Sequence, residues 1–564
     1  MTSTLRITRI KFKAGSKAKA EPPLEVNPGP VLVFVGPNNS GKSLALREIE
    51  LWCQGESLQG KLISDVSADL PTTEQDALDL LSPLKTKPPV GLTEGPRVFY
   101  IASHLYRGQP SPATQINVDQ VRGAVASSDK RGLRAYTTSW YTIRLDGRTR
   151  FSLVLDQPSG DLQVAPQNHL WALFVNNEAR ERVRKLTEDA FNLHFVVDPT
   201  AMQQFRVRMS TRKPQDNLEE QALDERARHF HASASHIDGY SDGVQAFVGL
   251  VSAILSLAHR ILLVDEPEAF LFPPLARRLG ENLAEITSER QATLIVATHS
   301  SEFLMGCLTK AQVSVVRLTY QDGIATARNL AGETLRELMR DPLLRSSKVL
   351  DALFRQSVVV TEADSDRAFY DEINRRLLES SRGMKDVLFL NAQNKQTEHR
   401  IIGPLRRIGI PSAALLDLDF LEDKGPSWRK LLDSALIPAD AYPHLEAERD
   451  FAIACFAEVA ESSAGKPIKT LGLDALKEPE KVRVRKLLSM LEEYGVFLVH
   501  CGQLENWLKD LGATGHSPDW LVEIFSRLGT DESQTAYVRP TDGDVWEFID
   551  RIAIWASNVD RKGT

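Results

Sequence analysis

One stretch constrains the fold more than any other. In "GPVLVFVGPNNSGKSLALREIELW" an apolar run leads into a glycine-bounded loop and then a helical pattern. Gly36 to Ser43 fill every fixed position of G-x-x-x-x-G-K-[ST]. Gly36 and Gly41 permit a tight loop, so that the backbone N–H groups through Asn38, Asn39 and Ser40 converge on phosphate oxygens. The helix that follows points its positive end at the same place. Lys42 then reaches the terminal phosphates and Ser43 ligates Mg²⁺. The strand–loop–helix order predicts an α/β fold with a nucleotide at one sheet edge.

"ILLVDEPEAF" supplies a second half. A hydrophobic strand ends in Asp265, placed to hold Mg²⁺ through water, and Glu266, placed to polarise an attacking water. "SDGVQ" (Ser241–Gln245) opens a long apolar helix before that strand, and "VATHS" ends the next one, with His299 placed to touch a γ-phosphate. "SVVRLTY" and "IATARNL" predict a hairpin across "QDG". Residues 134–165 alternate and carry turn signals, which predicts a β-meander. Residues 168–195, 215–230 and 331–356 read as helical.

A second α/β unit begins at "SVVVTEADSDRAFYDEINRRLL". Its apolar strands end in acids: Glu362 with Asp364 and Asp366, then Asp417 and Asp419 in "LLDLDF", then Glu505 in "GQLENWL". Alternate residues of a strand face one side, so Asp417 and Asp419 would lie about 7 Å apart. In a parallel sheet such strand ends converge on one edge. Several carboxylates there repel one another unless a hard divalent cation such as Mg²⁺ or Mn²⁺ joins them. Two such ions can activate water and stabilise the leaving oxygen of a phosphodiester.

At 564 residues the chain is too long for one core. A formal net charge of −7 gives no global pull toward nucleic acid, so DNA contact needs a local basic surface or a metal. The start "MTSTLRITRIKFKAG" lacks a signal-peptide core, and no apolar run is long enough to span a bilayer. Cys53, Cys307, Cys455 and Cys501 are scattered and form no C-x-x-C, which fits a reducing cytoplasm. His229, His231 and His236 lack a fourth ligand and the spacing for zinc. Arg406 and Arg407 read as a solvated helix face or, less simply, as phosphate contacts.

The N-terminal motifs resemble the ABC-type ATPases of the SMC/Rad50 and OLD group. The resemblance implies that ATP is sandwiched between two heads, with Ser241 and Gly243 binding the nucleotide of the opposite subunit. Here the signature is SDG rather than LSGG, and Phe270 and Phe272 stand where histidines are usual. The arm between P-loop and signature lacks long heptads, which excludes an SMC-length coiled coil. The C-terminal motifs resemble the Toprim domain: Glu362, Ser365 and Asp366 match E-G-x-[ST]-D, with Ala363 in place of glycine, and Asp417 and Asp419 match D-x-D. "QNK" (Gln393–Lys395) stands where the family often has G-G-K, and Glu505 resembles the later acid of OLD-type Toprims. That family also uses a lysine near the chain end, for which Lys562, Lys509 and Arg539 are open candidates.

The expected architecture is therefore an ABC/SMC-like ATPase domain over 1–345, with an inserted arm and dimerisation region at about 104–235, followed by a Rossmann-like Toprim domain over 346–564 with a helical insertion at about 421–490. The pairing resembles OLD-family endonucleases, including Gabija and retron-associated anti-phage effectors. It implies an ATP-regulated, metal-dependent DNA endonuclease: a homodimer or higher even-numbered oligomer, with a second defence protein or retron RNA/DNA as a further partner and no membrane role. Glu362, Asp366, Asp417, Asp419 and Glu505 would ligate two Mg²⁺ or Mn²⁺ ions. The alternative is an ABC-type ATPase whose Toprim-like domain is a non-catalytic scaffold for nucleic acid or a partner. A primase- or topoisomerase-like role is the weakest reading, because no nucleophilic tyrosine placement or zinc ribbon is evident.

Overall fold

The computed structural model describes residues 5–16, 22–58, 60–102, 113–256, 259–321, 323–346, 348–423, 426–462 and 465–563. The chain divides into two compact units, Met1–Glu333 and Thr334–Thr564.

The first unit is built on a six-stranded sheet. Its strands are β1 (Val31–Val35), β2 (Thr142–Leu145), β3 (Ile261–Asp265), β4 (Thr293–Ala297), β5 (Val313–Gln321) and β6 (Ile324–Leu330), in the spatial order β6-β5-β1-β4-β3-β2. All neighbours are parallel except the β5–β6 hairpin. Every residue of β1 is buried, as expected where a parallel sheet is covered on both faces. Helix α1 (Lys42–Cys53) buries Ala45, Leu46, Ile49 and Trp52 in a core shared with Leu32, Phe34 and Ile295. Helices α2 (Asp242–Leu255), α3 (Pro273–Glu289) and α4 (Ser301–Lys310) belong to the same unit. A small antiparallel sheet of Ile7–Phe12, Glu25–Val26 and Ile63–Ala68 adds Ile10, Phe12 and Ile63 to the same core.

The β-meander expected over 134–165 does not form. Residues Arg131–Tyr136 are helical, Thr138–Tyr141 make a 3₁₀ turn, and only Thr142–Leu145 is a long strand, paired in parallel with β3. The cause is local. The hydroxyls of Thr137, Thr138, Ser139 and Thr142 all donate to carbonyls four residues back, which holds helical turns where alternation alone suggests extended chain. Within the span 104–235 expected as an inserted arm, Thr142–Leu145 joins the main sheet as β2; the stretch 104–112 lies outside the described residues. Residues 215–230 hold two short helices, Asn217–Gln221 and Glu225–Ser233.

A buried charge triad organises this region. Glu220 is fully buried and accepts from Arg180 Nε at 2.8 Å, Arg184 Nη2 at 2.5 Å and the Val197 amide at 3.0 Å. Removing one member of such a group strands the others in a low dielectric. Glu220→Ala is expected to lower unfolding stability by about 3–5 kcal/mol, measured by urea titration.

The second unit holds a four-stranded, all-parallel sheet: β7 (Ser357–Thr361), β8 (Val387–Asn391), β9 (Ser412–Leu416) and β10 (Val496–Leu498), in the order β8-β7-β9-β10. Chain order reverses on the two sides of β7, and in open α/β sheets the strand ends at such a point border a crevice. Helix α5 (Asp364–Glu379) follows β7 and helix α6 (Glu398–Arg407) follows β8. Trp507, Trp520 and Trp546 pack with Phe369, Tyr370 and Phe548 in the core. Residues 421–490 include the helices Pro426–Ser434, Tyr442–Ser462 and Glu478–Glu492.

Arg406 is neither a solvated charge nor free for phosphate. It is buried and donates to the carbonyls of Ser412, Ala435, Tyr494, Gly495 and Gly563, at 2.7–3.2 Å. Among the described residues no helix is long and apolar enough to cross a membrane.

Candidate functional site

The nucleotide loop leaves β1 at Gly36, which has φ 143°; a Cβ there would lie 2.0 Å from the Leu318 carbonyl oxygen, so no other residue fits. Asn39 and Gly41 also have positive φ, and Ser40 is buried under the turn. Lys42 starts α1 and lays its ammonium across the loop, donating to Gly36 O at 2.9 Å and Pro37 O at 2.8 Å. Ser43 Oγ donates to Asp265 Oδ1 at 3.1 Å, which brings the loop helix and the end of β3 together. Burial raises the Asp265 carboxyl above its ordinary value; the Ser43 hydroxyl opposes this and Glu266 adds to it. A divalent cation at this hydroxyl and carboxylate suits oxygen donors of this kind.

Glu266 is exposed and left-handed, with φ 48°, and its amide donates to Ala297 O at 2.7 Å. His299 Nε2 lies 3.7 Å from Glu266 Oε1, and the His299 amide donates to Glu268 Oε1 at 2.7 Å. Ser241 is the exposed N-cap of α2. Gly243 packs so closely on the loop after β3 that a Cβ would sit 2.8 Å from Phe270 O. Phe270 and Phe272 are both exposed, and Phe270 stacks edge-on against Phe151 at 5.1 Å.

Sequence reasoning missed Arg150. This buried arginine donates from Nη2 to the carbonyls of both Asp265 and Glu266, and so holds the backbone of the acid pair. It comes from the short helix Thr149–Ser152, in the region expected to be a meander. No motif marks it; its role depends on a contact across more than a hundred residues of chain.

The second cluster lies at the ends of β7 and β9. Glu362 follows β7, and its Oε1 accepts from the Asp417 amide at 2.9 Å. Burial pushes Glu362 up to about 7; the Asp417 amide opposes this, and Asp419 and Asp366 reinforce it. Asp366 is pushed up to about 6 by burial and then by Glu505, although its Oδ2 accepts from the Ala363 amide at 2.9 Å. Asp417 is pushed up to about 9, first by burial and then by Glu362, Asp366, Asp419 and Glu505. Lys395 lies 3.2 Å from Asp419 Oδ1. Glu505 accepts from the Ser517 amide at 3.1 Å. The five acids thus act on one another from three distant parts of the chain. Among the described residues, no three His, Cys, Asp or Glu side chains already stand in metal-holding geometry. Asp366 caps its own helix, Asp419 faces Lys395 and Glu505 faces Ser517. The donor set, oxygen-only and short of cations, is nevertheless the chemistry a hard divalent ion takes.

Lys562 pairs with Glu493 at 2.5 Å, Arg539 donates to Glu532 O at 2.7 Å, and Lys509 sits in a short 3₁₀ turn. His231 is buried on Glu220 O at 2.9 Å, while His229 is exposed and His236 pairs with Asp156 at 3.2 Å.

A family model described as "AAA domain, putative AbiEii toxin, Type IV TA system" matches residues 31–305. No curated protein matches. Among solved structures, the chain is similar to an Smc head bound to the C-terminal winged-helix domain of ScpA, at 13% identity over 59% of this chain and 99% of that one, with a TM-score of 0.33. It is also similar to the SMC head domain from Thermotoga maritima, at 14% identity over 57% and 98%, with a TM-score of 0.30. A Pyrococcus furiosus Smc head with an extended coiled coil gives 11% identity over 60% and 99%, and a TM-score of 0.31. These structural likenesses are distant, and the assignment rests on the matched residues and the loop geometry. The first unit carries an ATPase-type domain with a P-loop, the geometry that holds a nucleotide's phosphates. Residues 31–305 are thus similar to ATPase domains of the AAA type.

Proposed function

We propose that the protein is an ATP-regulated, divalent-metal-dependent DNA endonuclease resembling the OLD family, in which an ABC-type head governs a Toprim nuclease. The observation that carries this reading is the placement of Glu362, Asp366 and Asp417 at one edge of a parallel sheet, each carboxyl raised by burial and then by neighbouring acids. Acids so placed are tolerable chiefly with a cation among them. Glu362, Asp366, Asp417, Asp419 and Glu505 would hold Mg²⁺ or Mn²⁺, which when bound supplies an activated water and stabilises the leaving oxygen of a phosphodiester. Lys395, beside Asp419, offsets negative charge at the same edge.

In the ATPase unit, Lys42 binds the terminal phosphates and the Asn38–Gly41 amides cradle the others. Ser43 and Asp265 hold Mg²⁺, Glu266 accepts the proton of the attacking water, and His299 stands beside Glu266 to reach the γ-phosphate. Ser241 and Gly243, exposed or half-exposed at the start of α2, bind the nucleotide of a second head, which makes the working unit a dimer or higher even-numbered assembly. ATP then sets the arrangement of heads and nuclease rather than breaking the DNA bond. The matching family description names a putative AbiEii toxin of a type IV TA system, which is in keeping with a defence role; the partners proposed with it are DNA and a second protein or RNA/DNA component.

The test is a matrix of plasmid DNA with Mg²⁺ or Mn²⁺ against ATP, ADP or no nucleotide. Nicking or cleavage that Asp417→Ala removes is the expected result. Intact plasmid in every condition, with ATP turnover preserved, would instead establish the second unit as a scaffold.

A further inference from the structure

Glu398 is the most unusual acid in the second unit. It is fully buried, at 0% exposure, and neither carboxylate oxygen has a hydrogen-bond partner among the described residues. A buried carboxyl without a partner is costly, and proteins rarely leave one without cause. Its position is also informative. Glu398 opens helix α6, directly after the loop that carries Lys395 to Asp419. The groups that act on it electrostatically are Glu362, Asp366 and Asp417, and no cation is among them. These three acids are half-buried, whereas Glu398 is sealed from solvent. A structural capping role does not account for it, because Glu398 bonds no backbone amide at the start of its helix.

We propose that Glu398 is a further acid of the divalent-cation site, facing the ion or its bound water from the buried side of Glu362, Asp366 and Asp417. Two buried oxygens without a partner, on which three other acids act, are matched by a proton when the site is empty and by a cation when it is filled. Residues that orient a metal's ligands and waters from behind typically change metal affinity 10–100-fold when replaced. This inference rests on the cation reading of the acid cluster, and not on the identity of the DNA that is cut.

The test uses the full chain without nucleotide and titrates MnCl₂ by calorimetry, with the Mn²⁺-induced rise in melting temperature as a second readout. Glu398→Gln keeps the shape and removes the charge. It is expected to weaken Mn²⁺ binding by about 10–100-fold while melting no lower than the native protein in EDTA. Glu398→Asp, which keeps the charge on a shorter arm, is expected to fall between the two, and it serves if the glutamine variant does not fold. Unchanged Mn²⁺ affinity in both variants overturns the role of Glu398 alone. Native protein that binds no Mn²⁺ overturns the cation reading of the whole cluster, and Glu398 with it.

Discussion

Asp417→Asn is expected to abolish metal-dependent DNA cleavage and, in the same protein, to raise the melting temperature measured in EDTA. The first effect follows from removing a charge that faces the cation; a loss of about 10³-fold corresponds to roughly 4 kcal/mol of lost transition-state stabilisation. The second follows from burial. The Asp417 carboxyl stands at about 9 in the folded protein, against an ordinary value of 3.8. A folded-state value raised in this way favours folding fully below the unfolded value, and the benefit is lost as pH rises through the folded one. Glu362 at about 7 and Asp366 at about 6 act with the same sign. Metal-free native protein should therefore lose stability between about pH 4 and pH 9, and Asp417→Asn should flatten that slope. Mn²⁺ at about 100 times its Kd should raise the native melting temperature by roughly 5–10 °C, and the asparagine variant by much less. Scanning fluorimetry at pH 6 and pH 8.5, with EDTA or Mn²⁺, reads all of these. A variant that melts lower than native in EDTA at pH 8.5 would remove the electrostatic basis of the nuclease reading.

Glu266→Gln is expected to slow ATP turnover by about 10²–10⁴-fold while leaving ATP binding in place, because a general base is lost and the phosphate loop is untouched. The loop contacts lie on Gly36–Ser43, whereas Glu266 meets His299 across 3.7 Å at the far side. Stalled hydrolysis should trap paired heads, so the variant should elute as the larger assembly with ATP and as the smaller one without it. Lys42→Ala should fail earlier, at nucleotide binding, and show no ATP-dependent change in size. Fluorescent-nucleotide titration and light scattering separate the two. Equal turnover in Glu266→Gln and native protein would move the proton acceptor elsewhere.

The parts of this molecule that were legible in the sequence are those where chemistry forces a rare local pattern. Gly36 and Gly41 hold backbone angles that other residues resist, so the nucleotide loop declares itself. Acids at the ends of buried, mostly apolar strands, Asp265, Glu362 and Asp417, are likewise conspicuous because strands of that kind run straight to a sheet edge. The turns of Arg131–Tyr141 escape a reading by alternation, because the hydroxyls of Thr137, Thr138 and Ser139 wind the chain where the pattern suggests a strand. Arg150, Arg406 and Glu398 were out of reach for another reason. Each looks like a surface charge in its own neighbourhood, and each is buried by segments far away in the chain. Arg150 and Arg406 find carbonyls there, and Glu398 finds other acids.

The close approach of Gly243 to Phe270 has a mechanical consequence. The start of α2 and the turn after Glu266 touch backbone to backbone, with no room for a side chain to cushion them. Pressure on one is transmitted to the other as between meshed teeth. If two heads pair as proposed, a molecule seated at Ser241 would press on the turn that carries Glu266 without any wider rearrangement.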